Sequence, residues 1–194
     1  MNCGNNDINT ASPTPSPTKA VFLDRDGVIN EDPGYLHRVD DVRFVQGIFD
    51  FCADMRRLGY LLIVITNQSG VARGYFSLED VRRVNDHIRD EFTAKGIDIA
   101  DFFVCPFHPE GTVKRYARAS AHRKPAPGMV LDAARKWHID LSRSFAVGDK
   151  LSDRIELDDL RSYVIKSRYV PEGYDFESLE ALRRFIRSSE KPIQ

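Results

Sequence analysis

The sequence is short of the features that would send a protein out of the cell, into a membrane or onto nucleic acid. Its three cysteines, Cys3, Cys52 and Cys105, are too few and too scattered to brace a secreted fold, and Cys52 falls inside a helical pattern as a small apolar residue. No basic stretch leading into an apolar core opens the chain, and no apolar run approaches the length of a membrane span. Neither sign of charge prevails, since 28 basic and 29 acidic side chains leave a formal net charge of -1. These absences predict a soluble cytoplasmic protein with no membrane or nucleic-acid partner, in which any positive charge the function needs is local. No internal repeat is found, and 194 residues suit one α/β domain with a full core.

Residues 1–18 are rich in Asn, Ser, Thr and Pro, with Pro13, Pro15 and Pro17 alternating with small polar residues. Such a composition cannot bury a core, so a disordered tail is expected there and a single domain over 19–190. Beyond it, apolar runs alternate with amphipathic stretches. Strands are predicted at Ala20–Leu23, Tyr60–Ile65, Asp101–Cys105 and Ser144–Val147, with an edge strand at Tyr163–Ile165. Helices are predicted over Gly47–Leu58, from Ser77 to Lys95, over Gly128–His138 and over Ser178–Arg187. Gly59 and Gly96 stop the first two, and Ser77 with Asp80 three residues later caps the second. Strand, helix, strand is the right-handed crossover unit, so the expected architecture is a Rossmann-like three-layer α/β/α fold around a central parallel sheet.

Three of these strands end in polar groups, at the edge where open α/β sheets place their ligands. The first runs into Asp24-Arg25-Asp26-Gly27. Alternate residues of a strand point to opposite sides, but a turn at Gly27 returns Asp26 to the mouth that Asp24 faces. Two acids that close repel each other, which calls for a cation between them. The second strand ends in Thr66-Asn67-Gln68-Ser69-Gly70, a hydroxyl and a turn whose N–H groups suit phosphate oxygens, although such residues also satisfy their own backbone. The fourth ends in Gly148-Asp149-Lys150-Leu151-Ser152-Asp153, again an acid beside a glycine. A long loop, 106–123, leads into Arg123-Lys124-Pro125, where the guanidinium offers a planar fork and the ammonium a point charge. Asp32-Pro33-Gly34-Tyr35 reads as a turn that presents an aromatic beside the strand ends. A carboxylate attacks a phosphoryl group only where cations screen the repulsion, and these segments supply both acids and ammonium groups.

In their order, these segments resemble the motifs of the haloacid dehalogenase superfamily of phosphohydrolases. The resemblance implies that Asp24 is the nucleophile that forms an aspartyl-phosphate and Asp26 the general acid/base. Thr66 and Lys124 would bind the phosphoryl group, and Mg²⁺ would sit on Asp24, Asp149 and the Asp26 carbonyl oxygen. Asp153 either orients the site or caps the helix that follows. Residues 24–30, 32–35, 66–76, 105–109, 123–129 and 148–153 further resemble the D,D-heptose 1,7-bisphosphate phosphatase branch, which also holds histidinol-phosphate phosphatases. That implies a capless, monomeric, cytoplasmic enzyme removing the 7-phosphate of a heptose bisphosphate in bacterial surface-polysaccharide synthesis, for lipopolysaccharide or a capsule. Asp32, Tyr35, Asn67, Gln68, Ser69, Arg123 and Lys150 would contact the substrate. Histidinol phosphate is the alternative substrate, and a non-catalytic phospho-sugar binder the alternative class. A polynucleotide 3′-phosphatase fits less well, for want of a basic, aromatic-interleaved groove.

Members of that branch fold the long loop around structural zinc, with Cys-x-His followed by Cys-x-Cys. Here Cys105-Pro106-Phe107 and Ser120-Ala121-His122 stand in those places. Four-coordinate structural zinc needs four donors, so a structural zinc is expected to be absent and the loop to be held by hydrogen bonds and packing. Glu156–Arg161 also lacks the Ala/Gly-rich run usual after the last motif.

Overall fold

A computed structural model describes residues 17–190. The tail expected over 1–18 therefore falls, up to Ser16, outside the described residues. Thr18 is in the fold, however: its N–H donates to the His138 carbonyl at 3.0 Å, and it accepts from the Asp140 N–H at 2.9 Å.

Five parallel strands form the sheet: β1 (Ala20–Leu23), β2 (Leu61–Asn67), β3 (Asp101–Cys105), β4 (Phe145–Gly148) and β5 (Arg161–Val164), in the spatial order β3-β2-β1-β4-β5. Central strand β1 is fully buried, and its alternation divides the core. Val21 and Leu23 face a cluster that includes Phe51 and Met55 of α1 (Ile48–Arg57), Val84, Ile88 and Phe92 of α3 (Leu78–Ala94), and Leu182 and Ile186 of α5 (Leu179–Ser189). Ala20 and Phe22 face Met129, Val130 and Ala133 of α4 (Gly128–Trp137) on the other side. Helices thus cover both faces of the sheet, as continuous apolar strands require. No helix of the described residues is long and apolar enough to cross a membrane.

The start and stop residues act as their chemistry dictates. Ser77 and Asp80 form a reciprocal capping box at the start of α3, and Gly59 ends α1 with φ +85°. Two elements differ from expectation. The edge strand begins at Arg161 rather than Tyr163, because an edge position tolerates the polar Arg161 and Ser162 that break an apolar pattern. A four-residue helix, α2 (Ser69–Ala72), follows β2, too short to show a period in sequence.

The 106–123 loop has no regular structure but is well anchored. The Ala72 carbonyl accepts from Thr112 and Val113 N–H groups at 2.8 and 2.9 Å, and the Ala121 carbonyl accepts from Gly128 at 2.8 Å. Phe107 packs edge-on against Tyr116 at 5.8 Å, with the Arg118 guanidinium over the Phe107 ring. His122 pairs with Asp132 at 2.8 Å, and Cys105 is buried.

Candidate active site

The carboxyl ends of β1, β2 and β4 converge on a pocket of about 310 Å³. At the end of β1, the Asp24 N–H still donates to Val147 at 2.9 Å, so sheet pairing holds this residue up to the rim. The chain then turns at Gly27, with φ +107°. A Cβ at Gly27 would stand 2.2 Å from the Asp149 carboxyl, so only glycine admits both this turn and the acid from β4. Gly148 plays the same part for Asp153, whose Cβ would lie 2.0 Å from any Cβ at 148.

Asp24, Asp149 and Asp153 are buried, and one carboxylate oxygen from each lies within 4.8 Å of the other two. Lys124 joins the group, its Nζ 2.7 Å from Asp24 Oδ1 and 2.6 Å from Asp153 Oδ1. The other Asp153 oxygen accepts from the backbone N–H groups of Asp149 and Lys150 at 3.1 and 3.0 Å. Asp149 Oδ1 is buried without a hydrogen bond; Lys150 Nζ approaches it at 3.5 Å without bonding geometry. Burial pushes the Asp24 carboxyl up to about 7 against the pull of Lys124, and burial pushes Asp149 up to about 6 against the pull of Lys150. Three acids, an orphaned buried oxygen and hard oxygen donors make a set that fits a small divalent cation.

Asp26 lines the same pocket but is held separately. Arg25, fully buried, grips it with Nε on Oδ1 at 3.0 Å and Nη2 on Oδ2 at 2.9 Å. Asn30 Nδ2 donates to Oδ1 at 2.9 Å, and Gln68 Nε2 donates to Oδ2 at 2.8 Å. Gln68 Nε2 also donates to the Thr66 hydroxyl oxygen at 2.8 Å, which leaves the Thr66 proton free to be given away. Asn67 exchanges two 3.1 Å hydrogen bonds with the Lys124 backbone and thereby fixes that lysine to β2. The side-chain amides of Asn67 and Gln68 are thus bonded to the protein, and both residues, expected to contact the substrate, line the pocket. Ser69 lines it as well, from the start of α2.

Four expected residues form the rim. Asp32 accepts from Lys150 Nζ at 2.9 Å, and its turn places Tyr35 at the pocket edge with φ +56°, half exposed. Arg123, half-buried, completes the basic side. Two residues of consequence went unseen in sequence: Arg25, whose place inside the motif hid its hold on Asp26, and Tyr169, which reaches the rim from beyond β5. Asp153, expected to orient the site or cap the helix that follows, pairs with Lys124 and caps the turn after β4.

Fold and site together define a haloacid dehalogenase-type phosphatase. The sequence model of the family described as polynucleotide kinase 3 phosphatase matches residues 25–169, about three quarters of the chain. The D-glycero-beta-D-manno-heptose-1,7-bisphosphate 7-phosphatase of Rhodopseudomonas palustris is 47% identical over 134 residues, 69% of this chain and 74% of the relative. The alpha-anomer enzyme of Burkholderia mallei is 46% identical over 135 residues, 70% of this chain and 71% of the relative. A crystal structure of the D,D-heptose 1,7-bisphosphate phosphatase of B. bronchiseptica with magnesium and phosphate matches at a TM-score of 0.73 and 27% identity, over 88% of this chain and 99% of that one. The chain belongs to the D-glycero-D-manno-heptose-1,7-bisphosphate 7-phosphatase family.

Proposed function

We propose that this protein removes the 7-phosphate of D-glycero-D-manno-heptose 1,7-bisphosphate, with Mg²⁺ bound, through an aspartyl-phosphate on Asp24. The observation that carries this reading is the buried group of Asp24, Asp149 and Asp153, in which Asp149 Oδ1 has no hydrogen bond and Lys124 pairs with the other two. A pocket of about 310 Å³ suits a small phosphorylated sugar.

Asp24, Asp149 and the Asp26 carbonyl oxygen would hold Mg²⁺, with Asp153 adjacent, and the ion would screen the charge of the phosphoryl oxygens. Asp24 attacks phosphorus. Lys124 and the free Thr66 proton bind the equatorial oxygens as charge spreads over them. Asp26 gives a proton to the departing sugar oxygen, then takes one from the water that hydrolyses the aspartyl-phosphate. Arg25, Asn30 and Gln68 aim it. Asp32, Tyr35, Arg123 and Lys150 face the rest of the substrate, together with Ser69.

The 106–123 loop is read as free of zinc, held by its bonds to Ala72 and Ala121 and by the Phe107–Tyr116 contact; stoichiometric zinc in metal analysis of the purified protein would contradict this. We further read the protein as a cytoplasmic monomer without a cap domain, serving bacterial surface-polysaccharide synthesis.

The test is phosphate release, with Mg²⁺, from both heptose bisphosphate anomers, histidinol phosphate and a 3′-phosphorylated oligonucleotide. Release of one phosphate per heptose bisphosphate, fastest in the panel, is expected. Preference for histidinol phosphate or the oligonucleotide would overturn the substrate while leaving the site chemistry.

A further inference from the structure

We propose that Tyr169 is a specificity-determining residue, forming the wall against which the part of a sugar phosphate beyond the transferred phosphoryl group rests. The proposal builds on the sugar-phosphatase reading above. Tyr169 lies past β5, far in sequence from the strand-end motifs, yet it lines the same pocket as Asp24 and Asp26.

Its placement is over-determined. The Tyr169 hydroxyl donates to Asp32 Oδ2 at 2.9 Å, the oxygen that also receives Lys150 Nζ at 2.9 Å. Lys150 Nζ stands 4.5 Å from the centre of the Tyr169 ring. Arg168 Nη2 donates to the Tyr169 hydroxyl oxygen at 2.6 Å and to the Asp32 carbonyl at 2.7 Å, tying the two segments together. Ser167 anchors the loop from below, its hydroxyl donating to the Asp149 carbonyl at 2.5 Å and accepting from the Tyr169 and Val170 N–H groups at 3.1 and 3.2 Å. The loop that carries Tyr169 is thus registered on the backbone of a floor acid.

Tyr169 is 44% exposed, at the mouth of a polar pocket. A sugar phosphate presents C–H groups and a row of hydroxyls, and the wall offers partners for them: a half-exposed tyrosine whose ring is held by the Lys150 and Arg168 cations standing over it, at 4.5 and 4.7 Å from its centre, and beside it a carboxylate whose orientation is already fixed. Binding energy gained there holds the ester in line with Asp24 without touching the reacting atoms.

The test compares kcat and KM of the full-length protein, Tyr169→Phe and Tyr169→Ala on the best sugar phosphate of the panel and on acetyl phosphate, which is too short to reach the wall. For Tyr169→Ala, kcat/KM on the sugar phosphate is expected to fall at least about tenfold more than on acetyl phosphate, mostly through KM. Tyr169→Phe keeps the ring and is expected to recover part of that loss. An equal fall on both substrates, or none on either, overturns the proposal. The wild-type panel separately reports whether heptose bisphosphate is the substrate, so failure there is distinguishable from an unchanged ratio in the variants.

Discussion

The floor and the rim of the pocket are built by different means. The floor, Asp24, Thr66, Lys124, Asp149 and Asp153, is buried. Sheet pairing positions its strand-end members, and Lys124 is fixed through Asn67. The rim, Asp32, Tyr35, Arg123, Lys150 and Tyr169, is partly exposed and positioned by side-chain bonds between loops. Buried charges in a low-dielectric floor interact strongly and cannot reorganise, which suits the step where charge moves. On the proposed function the partly exposed rim groups would give binding rather than bond making. The same contrast predicts opposite kinetic signatures: floor variants lose kcat, and rim variants raise KM.

The largest expected effect is at Asp24, the proposed nucleophile. Asp24→Asn keeps the size of the side chain but removes its attacking charge, and turnover should fall by at least about 10⁴-fold with an unchanged far-ultraviolet dichroism spectrum. Lys124→Ala strikes both chemistry and fold, because it leaves Asp24 and Asp153 facing each other without their shared cation. A loss of about 10³-fold in kcat is expected, with about 3 kcal/mol of stability lost in denaturant unfolding. Gly27→Ala should cost about 2 kcal/mol or more, since its methyl group would enter the Asp149 carboxyl from a left-handed backbone; activity and metal affinity should fall together. Smallest is the rim: Lys150→Ala or Arg123→Ala should raise KM about tenfold while kcat stays within about threefold. Steady-state kinetics that placed the larger kcat loss at Lys150 than at Lys124 would dissolve the distinction between floor and rim.

The floor was legible because its residues are adjacent to strong local patterns. Asp24 and Asp149 each follow an apolar strand and Thr66 closes the apolar run of β2, and a strand's end fixes where such residues sit. Lys124 stood out through its proline-stiffened neighbours and the order of the motifs. Fold class and the five strands followed from the same apolar runs. What stayed hidden depends on chain returns that no local period encodes. Asp153 was expected at the site or as a cap, but that it packs among the acids because Gly148 leaves room for its Cβ was not. Arg25 turns inward to Asp26 and to Asn85, a partner sixty residues away. Tyr169 crosses from the far side of β5 to Asp32, a pairing set by tertiary packing alone. Asn67 and Gln68 were placed in the pocket they line, while the intraprotein partners of their side-chain amides, the Lys124 backbone, Asp26 and Thr66, were not foreseen. A sequence specifies that an amide lies at a strand end, not which of several nearby acceptors it meets.

The central claim is that a carboxylate at the end of β1 carries the phosphoryl group. Its most direct test is an acid quench of the enzyme during turnover with Mg²⁺ and heptose bisphosphate, followed by peptide mapping by mass spectrometry. The account predicts a phosphoryl group on Asp24, absent from Asp24→Asn. Sustained turnover with no phosphoenzyme, retained in Asp24→Asn, would contradict it.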